Sequence, residues 1–294
     1  MQQNYHTPVL LKEVLEALQI KADGKYIDCT LGDGGHTLEI LKLGGHVLGI
    51  DIDETAGKRA LGRIQTEGLA KNFTLAHGNF ANIEKIASEN GFEQVNGILF
   101  DLGYSSYQLT REELGLSFLE DQPLDMRLDK TLGVTAADLV NALPAKDLAH
   151  LFFEYSDERM ANRFAKAIVE ARSLKKFNTT KDLSDLLASV APPGYEHGRI
   201  HPATRVFQAL RIAVNGEIDN LKNSLPRAAR LLLPGGRMTV ISFHSLEDKT
   251  VKQFGRGVRA CLKVVTEKPL VPSEEEVLAN ARSRSAKLRV FEKE

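Results

Sequence analysis

Apolar positions along the chain change period several times, and each change marks an element. Residues 8–18 repeat apolar side chains at helical spacing, with Leu11, Val14, Leu15 and Leu18 on one face and Pro8 in the first turn. Tyr26 to Thr30 reads as a strand, runs into Gly32, Asp33, Gly34 and Gly35, and gives way to helical spacing at Leu38, Ile40 and Leu41. A second strand, His46 to Ile50, ends at Asp51, and a helix is expected from Asp53 to about Gly68. Phe73 to Ala76 predicts a short strand followed by His77-Gly78-Asn79-Phe80, and Ile83 to Ser88 a helix. Asn96 to Phe100 is then a buried strand closing on Asp101. Strands alternating with helices imply a parallel sheet with crossover helices.

The alternation stops after Asp101. Helical spacing is found near 135–142, 145–154, 157–172 and 180–190, punctuated by Pro144, Asn178 and Pro192-Pro193, with a threonine cap in the stretch Asn178-Thr179-Thr180. The α/β pattern resumes at about Thr204. Val206, Leu210, Val214, Ile218 and Leu221 predict one long helix, and Arg237 to Phe243 a strand. Ser245-Leu246-Glu247-Asp248 predicts a capping box that leaves His244 as a turn residue, and Leu262–Val265 and Leu288–Phe291 predict the last strands. The expected organisation is a sheet domain in two parts, 1–108 and 204–294, around an inserted helical domain, 109–203.

Composition narrows the classes. The 294 residues are 43% hydrophobic and 26% charged, an ordinary globular balance, and the net charge of −1 provides no overall basic field. Affinity for a polyanion must therefore come from local clusters. Arg159, Arg163, Lys166, Arg172, Lys175 and Lys176 face only Glu170 in one such stretch; Gly198-Arg199-Ile200-His201-Pro202-Ala203-Thr204-Arg205 is a second, and Arg282, Arg284, Lys287 and Arg289 form a third. Cys29 and Cys261 are far apart and in no C-x-x-C, so a disulfide framework is not expected and a reducing cytoplasm is. The N-terminal residues lack the basic and apolar regions of a signal peptide, and no apolar run approaches the ~18 residues of a membrane span.

The candidate chemistry sits at residues 26–36. Glycines after a strand let a ligand approach the backbone, and the helix that follows offers unpaired N–H groups. Asp51 stands 19 residues after Gly32, at the end of the second strand, where an acid accepts ribose hydroxyls in nucleotide-type βαβ units. Thr37 occupies the third-glycine position of G-x-G-x-x-G, and no G-x-x-x-x-G-K-[ST] exists, so dinucleotides and nucleoside triphosphates are disfavoured. S-adenosylmethionine fits, with its amino-acid end on the glycine turn and its ribose on Asp51. Phe80, just past a strand end, is either an adenine face or a plug under a loop. The eight histidines show no metal-ligand spacing such as H-E-x-x-H. A ligand-free tight turn, a nicotinamide dehydrogenase and a non-catalytic RNA-binding protein are the competing readings.

Six motifs stand in one order along the chain: D-C-T-L-G-D-G-G-H-T from Asp28, D-L-G-Y-S-S-Y-Q-L from Asp101, P-L-D-M-R from Pro123, H-P-A-T-R-V-F-Q-A-L-R-I-A-V-N-G-E from His201, P-G-G-R-M-T-V-I-S-F-H-S-L-E-D from Pro234 and R-S-R-S-A-K-L-R from Arg282. Together they resemble the bacterial 16S rRNA (cytosine-N4) methyltransferases of the MraW family, from about Tyr5 to the C-terminus. The resemblance implies a class I (Rossmann-like) S-adenosylmethionine-dependent methyltransferase sheet with an inserted all-helical domain. It implies that Gly34, Gly35 and His36 hold the donor's methionine end, that Asp51 takes the ribose, that Phe80 lies near the adenine, and that Asp101 and Gln108 complete the donor site. The acceptor implied is the N4 amine of a decoding-centre cytidine in small-subunit rRNA; another nucleic-acid or small-molecule amine is the alternative. Neither a membrane nor DNA is an expected partner. Asp101 is the candidate catalytic carboxylate, with Tyr104, Ser105 and backbone carbonyls as alternative acceptors and donor binding as its alternative role.

Overall fold

The computed structural model describes residues 5, 7–104, 114–258 and 261–294. Chain order in the first segment is α1 (Leu11–Leu18), β1 (Lys25–Asp28), α2 (Gly35–Lys42), β2 (His46–Asp51), α3 (Glu54–Thr66), β3 (Phe73–His77), α4 (Ile83–Glu89) and β4 (Val95–Asp101). Then follow α5 (Ala136–Ala142), α6 (Ala145–Ser156), α7 (Ala161–Arg172), α8 (Thr180–Val190) and α9 (Ala203–Asn215). The last segment holds α10 (Glu217–Leu231), β5 (Leu232–Ser242), α11 (Ser245–Gly257), β6 (Leu262–Val264), α12 (Glu274–Ala279) and β7 (Lys287–Lys293).

The strands form one sheet in the order β3-β2-β1-β4-β5-β7-β6. The first five run parallel, and β7 pairs antiparallel with both β5 and β6. Both sheet faces are covered, and the two-residue strand period sorts side chains between them. Ile27, Leu48, Ile98, Phe100 and Val240 pack with Ile83 of α4, Leu221 and Leu225 of α10, and Val251 of α11. Their sequence neighbours Tyr26, Val47, Leu99 and Ile241 pack with Val14 and Leu18 of α1, Leu38 and Leu41 of α2, and Ile64 of α3. The chain leaves β1 toward β2 and β3, then crosses back to β4 on the other side. β1 and β4 are thus adjacent where the strand order reverses, and ligands of open α/β sheets bind beyond the carboxyl ends of the strands at such a point.

Two units separate by their internal contacts, residues 1–105 with 218–294, and residues 106–217. The expected return to the sheet at residue 204 falls too early. The helix read from Val206 to Leu221 is two helices, broken at Gly216, whose φ of 59° ends α9 in the left-handed region. Val206, Phe207, Leu210 and Val214 of α9 pack with Leu148 and Phe152 of α6, Phe164 and Ile168 of α7, and Leu187 of α8, so α9 belongs to the helical unit's core. Ile218 and Leu221 belong to the sheet unit. Thr179 caps α8 through the Asp182 N–H at 3.2 Å, as its sequence predicts. The P-L-D-M-R motif is scaffolding within the helical unit: Asn215 of α9 donates to the Met126 carbonyl at 2.8 Å and accepts from the Leu128 N–H at 2.9 Å.

Candidate active site

The turn after β1 is held from three sides. Asp51, at the end of β2, accepts the Gly32 N–H on one carboxylate oxygen at 2.7 Å and the Asp53 N–H on the other at 2.8 Å. Asp53 in turn caps α3, accepting from Thr55 and Ala56. Asp33 accepts from Arg59 Nε at 3.0 Å, its carbonyl accepts from Arg63 at 3.2 Å, and the Tyr5 ring lies under both guanidinium groups, 5.7 and 4.6 Å from its centroid. The glycines divide their work. A Cβ on Gly34 would meet Ala60 of α3 at 3.1 Å, and one on Gly35 would meet Pro8 at 3.1 Å, so these two admit neighbouring segments. Among the described residues a Cβ on Gly32, at φ 51°, would meet only the Thr30 carbonyl, at 3.9 Å. Gly34 gives α2 no side-chain cap, so the first-turn N–H groups lack the acceptor that a capping residue supplies.

Under the turn lies a buried polar chain that the glycine pattern did not reveal. Thr37 donates its hydroxyl to Asp28 at 2.7 Å, and Asp28 also accepts the Thr30 N–H at 3.1 Å. Thr30 Oγ1 accepts the Asp101 N–H at 2.6 Å, tying the end of β1 to the end of β4. The third-glycine position is therefore filled by a hydroxyl that satisfies a buried carboxylate. The signal in the sequence was the apolar strand Tyr26-Ile27 closing on an acid, Asp28.

Asp101 ends β4. Its Oδ2 lies 3.6 Å from His36 Nδ1, and His36 Nε2 is 3.0 Å from the Val9 carbonyl. Asp101 Oδ1 is buried and makes no hydrogen bond among the described residues. Glu247 adds another carboxylate nearby: its Oε2 accepts the Phe243 N–H at 2.8 Å and the His244 N–H at 3.2 Å. His244 is itself the cap of α11, with Glu247 at the third helical position, so the box opens one residue earlier than Ser245. The imidazole nitrogen supplies the capping acceptor where a serine was expected.

These acids are crowded. Burial pushes the Asp28 carboxyl up to about 6 against the opposing bonds from Thr37 and Thr30. It pushes Asp51 up to about 7 against those from Asp53 and Gly32. Burial, then the charges of Asp28 and Glu247, hold Asp101 well above the ordinary carboxylate range. Such a set is relieved by a cationic ligand, and the sulfonium donor expected from sequence fits it. Phe80 packs edge-on against Phe100 of β4, centroids 5.7 Å apart, and is only partly buried. Gly34, Gly35, His36, Asp51, Phe80 and Asp101 all follow the carboxyl ends of the first four strands; Gln108 lies outside the described residues.

In the helical unit the basic stretch of α7 splits by partner. Arg172 spends one guanidinium nitrogen on the Val140 and Leu143 carbonyls, both at 2.7 Å, and so finishes α5. Lys175 pairs with Asp182 at 2.8 Å. Arg159, Arg163 and Lys166 are exposed, with Lys166 3.7 Å from Glu170. Among the described residues no helix is long and apolar enough to cross a membrane.

A family model described as the MraW methylase family matches residues 3–294. A protein of Carboxydothermus hydrogenoformans named ribosomal RNA small subunit methyltransferase H is 46% identical, the match covering 98% of this chain and 97% of that one. A namesake from Synechococcus elongatus is also 46% identical, covering 98% and 95%. Among solved structures, an rRNA methylase from Streptococcus thermophilus aligns over 100% of this chain and 98% of its own, at 11% identity and a TM-score of 0.49. The family match over nearly the whole length, with relatives far above the identity at which a family is in doubt, leaves one conclusion: the chain belongs to the MraW methylase family.

Proposed function

We propose that the chain is an S-adenosylmethionine-dependent methyltransferase that modifies the N4 amine of a cytidine in 16S rRNA of the small ribosomal subunit, in the cytoplasm. The observation that carries the reading is Asp101: a carboxylate at the end of β4 whose Oδ1 is buried without a hydrogen-bond partner among the described residues. The relatives' shared name, ribosomal RNA small subunit methyltransferase H, supports the choice of substrate.

The donor supplies a methyl group on a positively charged sulfur. Toward it, Gly34, Gly35 and His36 at the start of α2 form the wall for the amino-acid end, Asp51 offers an acceptor for ribose hydroxyls, and Phe80 a ring for the adenine. The exocyclic amine of cytosine is a weak nucleophile because its lone pair is delocalised into the ring. Asp101 Oδ1 accepts a hydrogen bond from that amine, which orients the nitrogen and takes up the developing positive charge. The base reaches such a site only when unstacked or single-stranded. In the helical unit, the exposed Arg159, Arg163 and Lys166 are the groups for rRNA phosphates.

The test is mass mapping of small-subunit rRNA from a deletion strain, with and without the chain restored. One cytidine should lose one methyl group in the deletion and regain it on restoration. An unchanged methylation map, or restoration of a methyl group at a carbon or a ribose, would refute the assignment.

A further inference from the structure

The helical unit carries an aromatic stack that runs from its core to solvent. Phe207 of α9 is 4% exposed and belongs to the packed core. Phe118 meets it edge-on, with centroids 5.0 Å apart. His201 lies nearly flat on Phe118, at 5.0 Å between centroids and 25° between planes, and is itself exposed. The imidazole is fixed by more than stacking. The Ala203 N–H donates to His201 Nδ1 at 3.2 Å, so in the neutral ring the proton sits on Nε2. Leu119, beside Phe118 in sequence, is 87% exposed.

A planar ring stacked on a second aromatic, in a residue exposed to solvent, is a platform for an unpaired base. Stacking of this kind tolerates any base, and a ring already fixed loses little freedom on binding. The surrounding charge suits the same occupant. Arg205 is committed to Glu196 at 2.6 Å, whereas Arg199 is exposed and has no ion pair among the described residues. We propose that His201, backed by Phe118, stacks an unpaired base of the RNA substrate, with Arg199 meeting the adjoining phosphate. The proposal rests on the rRNA reading given above.

Two substitutions separate this role from plain helix capping. His201→Asn keeps an acceptor for the Ala203 N–H and removes the ring; His201→Phe keeps the ring and removes the acceptor. The probe is a small-subunit rRNA fragment with 2-aminopurine at successive unpaired positions, bound to the full chain and read by fluorescence. Wild type and His201→Phe should bind and quench one position. His201→Asn should lose that quench and bind roughly 5- to 100-fold more weakly, with its salt dependence unchanged. Arg199→Ala should instead flatten the salt dependence by roughly 0.7 in log–log slope. The opposite pattern, with Asn retaining affinity and Phe losing it, makes His201 a cap and overturns the platform while leaving the methyltransferase reading intact. Failure of the wild-type chain to bind small-subunit rRNA in any form overturns both.

Discussion

Replacing Asp101 with asparagine separates the two roles that its position allows. The side chain is 18% exposed, its Oδ2 faces His36 at 3.6 Å, and its Oδ1 is buried with no hydrogen bond among the described residues. Burial and the neighbouring charges of Asp28 and Glu247 raise its pKa well above the ordinary value. Because the folded-state pKa is the higher one, the native protein keeps a proton that the unfolded chain has released. The stabilising contribution is complete below the ordinary carboxylate pKa and is lost as pH rises toward the raised one, at about 1.4 kcal/mol per pH unit. Asparagine fills the same volume and carries no charge at any pH. Urea unfolding of the Asp101→Asn variant, followed upward in pH from the ordinary carboxylate pKa, should therefore show a flatter profile than the parent. The methylation rate should move the other way. With the cationic donor bound, Asp101 favours its ionised form, and losing that acceptor for the amine should slow single turnover on small-subunit rRNA at saturating donor by roughly 10²–10⁴-fold. Donor affinity by calorimetry should change far less. Equal losses in rate and donor affinity would reduce Asp101 to a binding residue, and an unaltered pH profile of stability would show that its carboxylate is not held protonated by the fold.

Asp51→Ala removes the acceptor of two backbone N–H groups as well as the ribose contact, so donor affinity should fall about tenfold or more in a calorimetric titration; unchanged affinity would move the ribose to another acid. Donor affinity should rise with pH through the Asp28 and Asp51 pKa values of about 6 and about 7, because a cationic ligand favours the ionised acids. Proton release, measured by calorimetry in buffers of different ionisation heat, should accompany binding, and S-adenosylhomocysteine, uncharged at sulfur, should release fewer protons; equal release by both would refute the electrostatic account. Alanine at Arg159, Arg163 and Lys166 should flatten the salt dependence of RNA binding by roughly 0.7 per lost phosphate contact and leave Tm unchanged. Arg172→Ala should lower stability by about 1–3 kcal/mol in urea unfolding, because two carbonyls lose their donor; a parental unfolding midpoint would return Arg172 to the RNA face.

The sheet was legible because its signals are local. Apolar runs ending in Asp51 and Asp101, with glycines after the first strand, predict strand ends and a turn whatever the rest of the chain does. Helices α5 to α8 were legible for the same reason: their faces repeat at helical spacing, and Thr179 and Pro144 mark starts. The break at Gly216 was not. Val206 to Leu221 keeps one apolar period across it, and only the tertiary partners differ, Phe152 and Phe164 for one half and the sheet for the other. Asp28 was passed over because a buried acid looks like any strand-ending acid until its partners Thr37 and Thr30 are seen to come from the helix and turn that follow.

Charge was the least legible property, and Arg172 shows why. In sequence Arg159, Arg163 and Lys166 step by four and three, and Arg172, Lys175 and Lys176 repeat that kind of spacing, which marks a common face only if every member reaches solvent. Arg172 stands in the last turn of α7, where a guanidinium reaches carbonyls that a helix end leaves unpaired. In the fold those carbonyls belong to α5, some 30 residues earlier, and two bonds at 2.7 Å outweigh anything a screened, mobile phosphate contact offers the same group. Counting cations thus overstates the donors that α7 presents to a phosphate, while Arg199 is exposed and has no ion pair among the described residues. The RNA-facing surface of this unit is set by which cations the fold leaves unused, and that subtraction needs the tertiary structure.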